Sequence, residues 1–330
     1  MKTCRILTAI TTAVLIGLSN VPATQAEELT PISFRLDWSI YGSHAPFYLA
    51  QQNGLYEDAG LKVDIGEGQG SATVAKLIAQ GDDQIGFVDF GTMARAVEQG
   101  MPLKAVARVI SDVMCIISYA DAPIESPKDL AEKSIAFSPA ESTGQVFPAL
   151  LASQDVDPKT VTVVTPAVGA KNAMLLQKRV QAIPGNYNVQ VAQLEAKGAK
   201  VTYFPLSDYG IHQMNNGLVT NESFIEEHPQ QLRAFIAATR QAWAMAEKDP
   251  EAAVDALIQA VPQQARNRDQ LLRQLTLTFQ SLTTANTEGK PFGWMSDKDW
   301  EATQQILTEY GGMPRSLPVS DFYTNEFLSE

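Results

Sequence analysis

A chain of 330 residues, 45% hydrophobic and 19% charged, is long and apolar enough to bury sizeable cores, and its length suits two domains. Its formal net charge of −12 makes it a poor partner for nucleic acid or for an anionic membrane. With Cys4 and Cys115 its only cysteines, the chain has no internal disulfide once the first is removed with the leader described next.

Lys2 and Arg5 form a basic start, Ile6 to Leu18 is mostly apolar, and Ala23-Thr24-Gln25-Ala26 is a small-residue cleavage site. This predicts a secretory signal peptide over residues 1–26, cut after about Ala26 and too short to span a membrane. Cys4 precedes the apolar run, so a lipid anchor is not supported. No later stretch reaches the roughly 18 apolar residues of a spanning helix, and no direct membrane insertion is expected. Loss of Lys2 and Arg5 takes the net charge two units lower, to −14. Cys115 lies within Val113-Met114-Cys115-Ile116-Ile117 and reads as a buried, inert thiol.

After Pro31, Ile32 to Leu36 reads as a strand, and Phe47 to Asn53 as a helix stopped at Gly54. The loop between them carries Asp37, Trp38, Tyr41 and His44. Its aromatic groups suit stacking on a flat ligand. Trp38 can equally pack beneath the loop, and His44 can be a satisfied structural histidine.

One pattern is then written twice. Leu61 to Ile65 is a strand-length run that stops at Gly66-Glu67-Gly68-Gln69-Gly70, with a helix opening at Ser71. Ile85 to Val88 is a second run, turned by Asp89-Phe90-Gly91, with a helix from Thr92 to the stop at Gly100 before Leu103 to Ala107. Strand, loop and helix in this order predict a parallel sheet whose loops share one rim, where ligands bind. Ser71 and Thr92 are candidate helix caps, and Gln69, Ser71, Asp89, Phe90 and Thr92 are candidate contacts. Gly66-x-Gly68-x-x-Ser71 is a near miss to a dinucleotide fingerprint, but its third position is Ser and the leader argues against that cofactor. Asp89-Phe90-Gly91 matches the kinase magnesium triplet by letters only.

Ser111 to Ile117 is followed by a short helix at Ser126 to Leu130 and a strand at Ser134 to Phe137. A further strand-to-helix loop follows, with Ser138, Glu141, Ser142, Thr143 and Gly144, where hydroxyls and amides either clasp a polar group or simply cap the helix. Strands follow at Val161 to Val164, at Val180 to Pro184 before Gly185-Asn186-Tyr187-Asn188, and at Lys200 to Phe204. Asn216 to Thr220 is a strand, and beyond Asn221 the pattern is helical. Phe235, Trp243 and Trp300 sit at helical spacing and read as core.

Leu36-Asp37-Trp38, Ser43-His44-Ala45-Pro46-Phe47-Tyr48-Leu49-Ala50, Asn53-Gly54-Leu55-Tyr56 and Gly60-Leu61-Lys62-Val63 resemble the opening of solute-binding proteins of the NMT1/THI5-like group, in the SsuA/THI5 superfamily. Gly81 to Phe87, Glu98 to Leu103 and Phe322 to Leu328 continue the resemblance. It implies a type II periplasmic binding fold, two α/β lobes with a hinge and two crossovers. Lobe one would hold residues 27–117 and 216–330, and lobe two 118–215. It implies a periplasmic, monomeric component of an ABC importer that captures a small molecule and docks on the transporter permease, with no cofactor and no metal. In the pyrimidine binders of this group the segment matching Tyr187 bears a tyrosine followed by an acid; Tyr187 matches, and Asn188 and Gln190 stand there uncharged. The ligand expected is aromatic or nitrogen-containing, like a thiamine-precursor pyrimidine; an aliphatic sulfonate or taurine is the alternative.

Asp37, Asp89 and Glu141 favour a neutral or amino-bearing ligand over an anion, unless they are solvated or bonded internally. The related pyrimidine-precursor synthases carry a cysteine cluster with histidine and iron chemistry. This chain has no such cluster and only three histidines. Docking on a membrane sensor would leave the same sequence traces as transport.

Overall fold

The computed structural model describes residues 28–137, 141–167 and 170–328, so the expected leader and Ser138 lie outside the described residues. Ten strands are present: β1 (Thr30–Arg35), β2 (Leu61–Gly66), β3 (Ile85–Asp89), β4 (Leu103–Arg108), β5 (Met114–Tyr119), β6 (Ser134–Ala136), β7 (Thr162–Val164), β8 (Ala182–Asn186), β9 (Val201–Pro205) and β10 (Asn216–Asn221). They form two five-stranded sheets, ordered β2-β1-β3-β10-β4 and β7-β6-β8-β5-β9. In each, one strand next to the edge runs against its neighbours: β10 is antiparallel to β3 and β4, and β5 to β8 and β9. Those two strands are the ones that the chain enters on crossing between sheets.

The expected end of the first lobe segment needs correction here. Residues 114–117 belong to β5 and hence to the second sheet, so the first crossover lies before Met114 rather than after Ile117. An apolar run states that a strand is buried but not in which sheet.

The doubled strand-loop-helix pattern folds as a parallel unit. β1 pairs in parallel with β2 and β3, and helix Ser71–Gln80 covers β3 with Val74 and Ile78. β3 is apolar along almost its whole length because both of its faces are covered. The helical stretch expected beyond Asn221 opens with two helices, Glu222–Glu227 and Pro229–Lys248, with Pro229 opening the second as a first-turn residue. Trp243 and Trp300 are fully buried, Trp300 stacked on Phe322 at 5.3 Å between ring centres. Near the C-terminus, Ala105 exchanges backbone hydrogen bonds with Phe322 and Thr324, which covers the open edge of β4. Among the described residues no helix is long and apolar enough to cross a membrane.

Candidate functional site

The strand ends of both sheets open on one cleft of about 530 Å³, within the range of small-molecule pockets. Asp37, Trp38, Tyr41, Ser71, Asp89 and Thr92 line it from the first sheet; Glu141, Thr143 and Asn186 line it from the second.

The first wall is built on the loop after β1. The loop tightens at Gly42, whose N–H donates to Gln274 Oε1 at 2.9 Å, and a Cβ there would fall 2.2 Å from the Leu271 carbonyl oxygen. Only glycine fits so close an approach. Next to it, His44 is fully buried. Its Nδ1 accepts the Tyr41 N–H at 3.3 Å, so the ring proton sits on Nε2 and is donated to Asp37 Oδ1 at 2.8 Å. Asp37 Oδ2 accepts from the Tyr41 hydroxyl at 3.3 Å and from Asn216 Nδ2 at 3.0 Å. Burial first, and then the Asp37 charge, push the Tyr41 phenol well above its usual range. Trp38 stands beside this group with about half its surface exposed. The second loop is stitched to the first, Gly70 N–H donating to Asp37 O at 2.8 Å and Gly68 N–H to Trp38 O at 3.3 Å.

Asp89, rather than Thr92, caps the third loop's helix, Phe90–Glu98. Its Oδ1 accepts both the Thr92 N–H and the Thr92 hydroxyl at 2.8 Å. Ser71 is not a cap either; its Oγ accepts the Asp89 N–H at 3.0 Å and ties the two loops together. Burial raises the Asp89 carboxyl, against the pull of the Thr92 bonds and the nearby Arg95 charge.

On the second wall, Lys171 Nζ donates to Glu141 Oε2 and, at 3.4 Å, to Thr143 Oγ1. Asn186 and Asn188 lie on either side of Tyr187 where β8 passes into a π-helical turn, Tyr187–Val191. Three buried polar atoms on cleft residues have no hydrogen-bond partner: Arg95 Nη1, Asn186 Oδ1 and Asn188 Oδ1. Among the described residues nothing satisfies them; four further such atoms, on Asn172, Gln213, Trp243 and Trp300, lie off the cleft.

The remaining expected contacts lie elsewhere. His44 supports Asp37 from below, and Phe90 is buried against Trp300 at 5.2 Å between ring centres. Tyr187 packs on Tyr203 at 5.5 Å, away from the cleft wall. Gln69 is solvent-exposed and Gly144 is buried, both outside the lining. Cleft residues the sequence did not single out include Arg95, Lys171 and Asn216, while Asn188, noted there only as an uncharged match to an acid, lines the cleft as well. Arg95 was traceable, since three residues after Thr92 puts it on the same helix face. Lys171 carried a subtler sign, a cation at the first position of helix Lys171–Leu176, where the helix dipole disfavours it.

A deep cleft between two α/β sheets joined by crossovers defines the class of two-lobed periplasmic-binding-type proteins. Residues 42–253 match the family described as NMT1/THI5 like, and the chain belongs to that family. It is 23% identical over 307 residues to a formylaminopyrimidine-binding protein of Halalkalibacterium halodurans, with 92% of each chain covered. It is 22% identical over 308 residues to a 4-amino-5-hydroxymethyl-2-methylpyrimidine phosphate synthase of Legionella pneumophila, covering 91% of this chain and 92% of that one. Among solved structures, the periplasmic aliphatic sulphonate binding protein SsuA of Escherichia coli shares its fold with a TM-score of 0.68, at 15% identity and with 89% and 91% of the two chains covered.

Proposed function

We propose that this protein is the extracytoplasmic solute-binding component of an ABC importer, a monomer that holds a small nitrogen-containing organic solute between its lobes and presents it to a permease. The observation that carries this reading is the set of unpartnered groups on both cleft walls, Arg95 on the first and Asn186 and Asn188 on the second. A ligand that satisfies both walls favours the closed arrangement over the open one. The signal-like start at residues 1–26 supports export, and the pyrimidine-binding relative supports the ligand class.

The synthase relative makes catalysis the competing reading. Two observations weigh against it. Cys115 is buried and its thiol is pushed far up by desolvation, so it supplies no thiolate. The Nε2 proton of His44 is committed to Asp37 beneath the cleft floor. The test is a thermal-shift screen of pyrimidines, aromatic acids, sulfonates and flavins, followed by calorimetry and chromatography of the recovered ligand. A binder raises the Tm with concentration and is recovered unchanged. A screen without a stabilising compound, or one that returns a converted compound, overturns the reading.

A further inference from the structure

We infer that the solute is an anion that also carries N–H donors, its acidic group held by Arg95 on the first wall and its N–H groups by Asn186 and Asn188 on the second. This rests on the solute-binding reading and narrows it.

Each of the three carboxylates of the cleft is engaged within the fold, Glu141 by a cation and Asp37 and Asp89 by hydrogen-bond donors. Asp37 accepts from His44, Tyr41 and Asn216. Asp89 accepts twice from Thr92, and Glu141 is paired with Lys171. The cations are less fully used. Arg95 donates through Nη2 to Thr92 Oγ1 at 3.4 Å while Nη1, buried on the cleft wall, donates to nothing. Lys171 is paired with Glu141 and Thr143, and an ammonium has three protons to give. A guanidinium with a free, desolvated N–H is suited above all to a carboxylate or a similar oxyanion.

The second wall asks for the opposite group, and at Asn188 the hydrogen-bond network fixes its polarity. Thr278 Oγ1 donates to the Gln274 carbonyl at 2.8 Å, so it can only accept from the Asn188 side chain at 3.2 Å. That makes the bonded atom of Asn188 its Nδ2 and leaves Oδ1 as the unpartnered atom, on a residue 1% exposed. Asn186 Oδ1 is a second unpartnered acceptor two residues away. Two buried acceptors on one turn match an amino group or the N–H edge of a heterocycle.

Three probes separate the parts: 4-amino-2-methylpyrimidine-5-carboxylate, its 5-carboxamide, and 2-methylpyrimidine-5-carboxylate, which lacks the amine. Calorimetry with the mature protein should show the amino acid-bearing probe binding at least tenfold more tightly than either of the others. Arg95→Gln should weaken the acid at least tenfold more than the carboxamide and so abolish its advantage, while Arg95→Lys restores part of it. A carboxamide that binds as tightly as the acid, or an Arg95→Gln variant that weakens both alike with its Tm unchanged, overturns the proposal. So does an amine-free acid that binds as tightly as the amino acid probe. If none of the three binds, the proposal fails, and the broader screen described above then decides separately whether solute binding itself survives.

Discussion

Replacing Asp37 with Asn changes one atom at the floor of the cleft, and the network around it sets the cost. In the native protein both carboxylate oxygens only accept, from His44 Nε2, Asn216 Nδ2 and the Tyr41 hydroxyl. An amide offers one acceptor and one donor. With its nitrogen toward Asn216, two N–H groups face each other. With its nitrogen toward His44 the clash is the same, and moving the ring proton to Nδ1 sets it against the Tyr41 N–H. Either way one donor loses its acceptor, and His44 has no solvent exposure through which to find another. Loss of a hydrogen bond to a charged group with a buried partner left over costs about 1.5–3 kcal/mol. At roughly 2–4 °C per kcal/mol for domains of this size, that is a fall in Tm of about 3–12 °C. Differential scanning calorimetry of wild type and Asp37→Asn at one pH measures it. Nitrogen NMR of the imidazole provides an independent check, with His44 protonated on Nε2 and not on Nδ1. A variant that melts within about 1 °C of wild type, or a native ring protonated on Nδ1, would refute the reasoning.

Trp38→Ala should weaken binding of the amino-carboxylate probe about tenfold, equivalent to about 1.4 kcal/mol, and leave Tm nearly unchanged because the ring is half exposed; calorimetry and melting together test both halves. Tyr187→Ala should do the reverse. It empties a buried site stacked on Tyr203, at a cost on the order of 3 kcal/mol, with a smaller loss of affinity in the folded protein than Trp38→Ala. Asp89→Asn keeps an acceptor for the Thr92 N–H and removes a carboxylate that burial holds above its ordinary pKa. A carboxyl with a raised folded pKa binds more protons folded than unfolded between the two values, so wild-type stability falls as pH rises through that window. The variant should therefore melt higher than wild type at pH 7, with the difference shrinking as pH is lowered towards the ordinary aspartate value. A difference that grows on acidification would contradict the assignment.

The fold was legible in the sequence wherever period and punctuation agreed. The doubled strand-loop-helix unit between Leu61 and Val109 stood out because strand-length runs with apolar residues alternate with helical patterns and its glycines fall where strand becomes helix. The same letters could not say which sheet 113–117 would join, since β5 and β4 are both buried at all but one position and burial alone does not name the sheet. The site was legible at loops and obscure on helices. Asp37, Trp38 and Asp89 lie at strand ends and reach the cleft. Phe90, one residue further, has already turned into the helix that buries it on Trp300. Tyr187 misses the cleft expected of it because the chain enters a π-helical turn there, and the wider turn sends the tyrosine to Tyr203 and Asn188 to the cleft.

The floor of the cleft and the joint between the sheets are one hydrogen-bonded structure. The two crossovers pair with each other: Val109 and Ile110 N–H groups donate to Asn216 O, Asn215 N–H to Ile110 O, and Asp112 N–H to Gln213 O. Asp112 takes a left-handed conformation, φ 54°, and its carboxylate accepts the Gln213 N–H at 3.0 Å, which suits it to a tight reversal. Asn216, which closes this ladder, is also the residue that holds Asp37. On the opposite side Ser43, next to His44, meets Thr278 at 2.7 Å, and Thr278 meets Asn188 of the second wall. Both of these places end on the loop that carries Asp37 and Trp38, so a change in angle between the sheets acts on that loop through buried polar bonds. A substitution at Ser43 should therefore alter affinity without touching the solute.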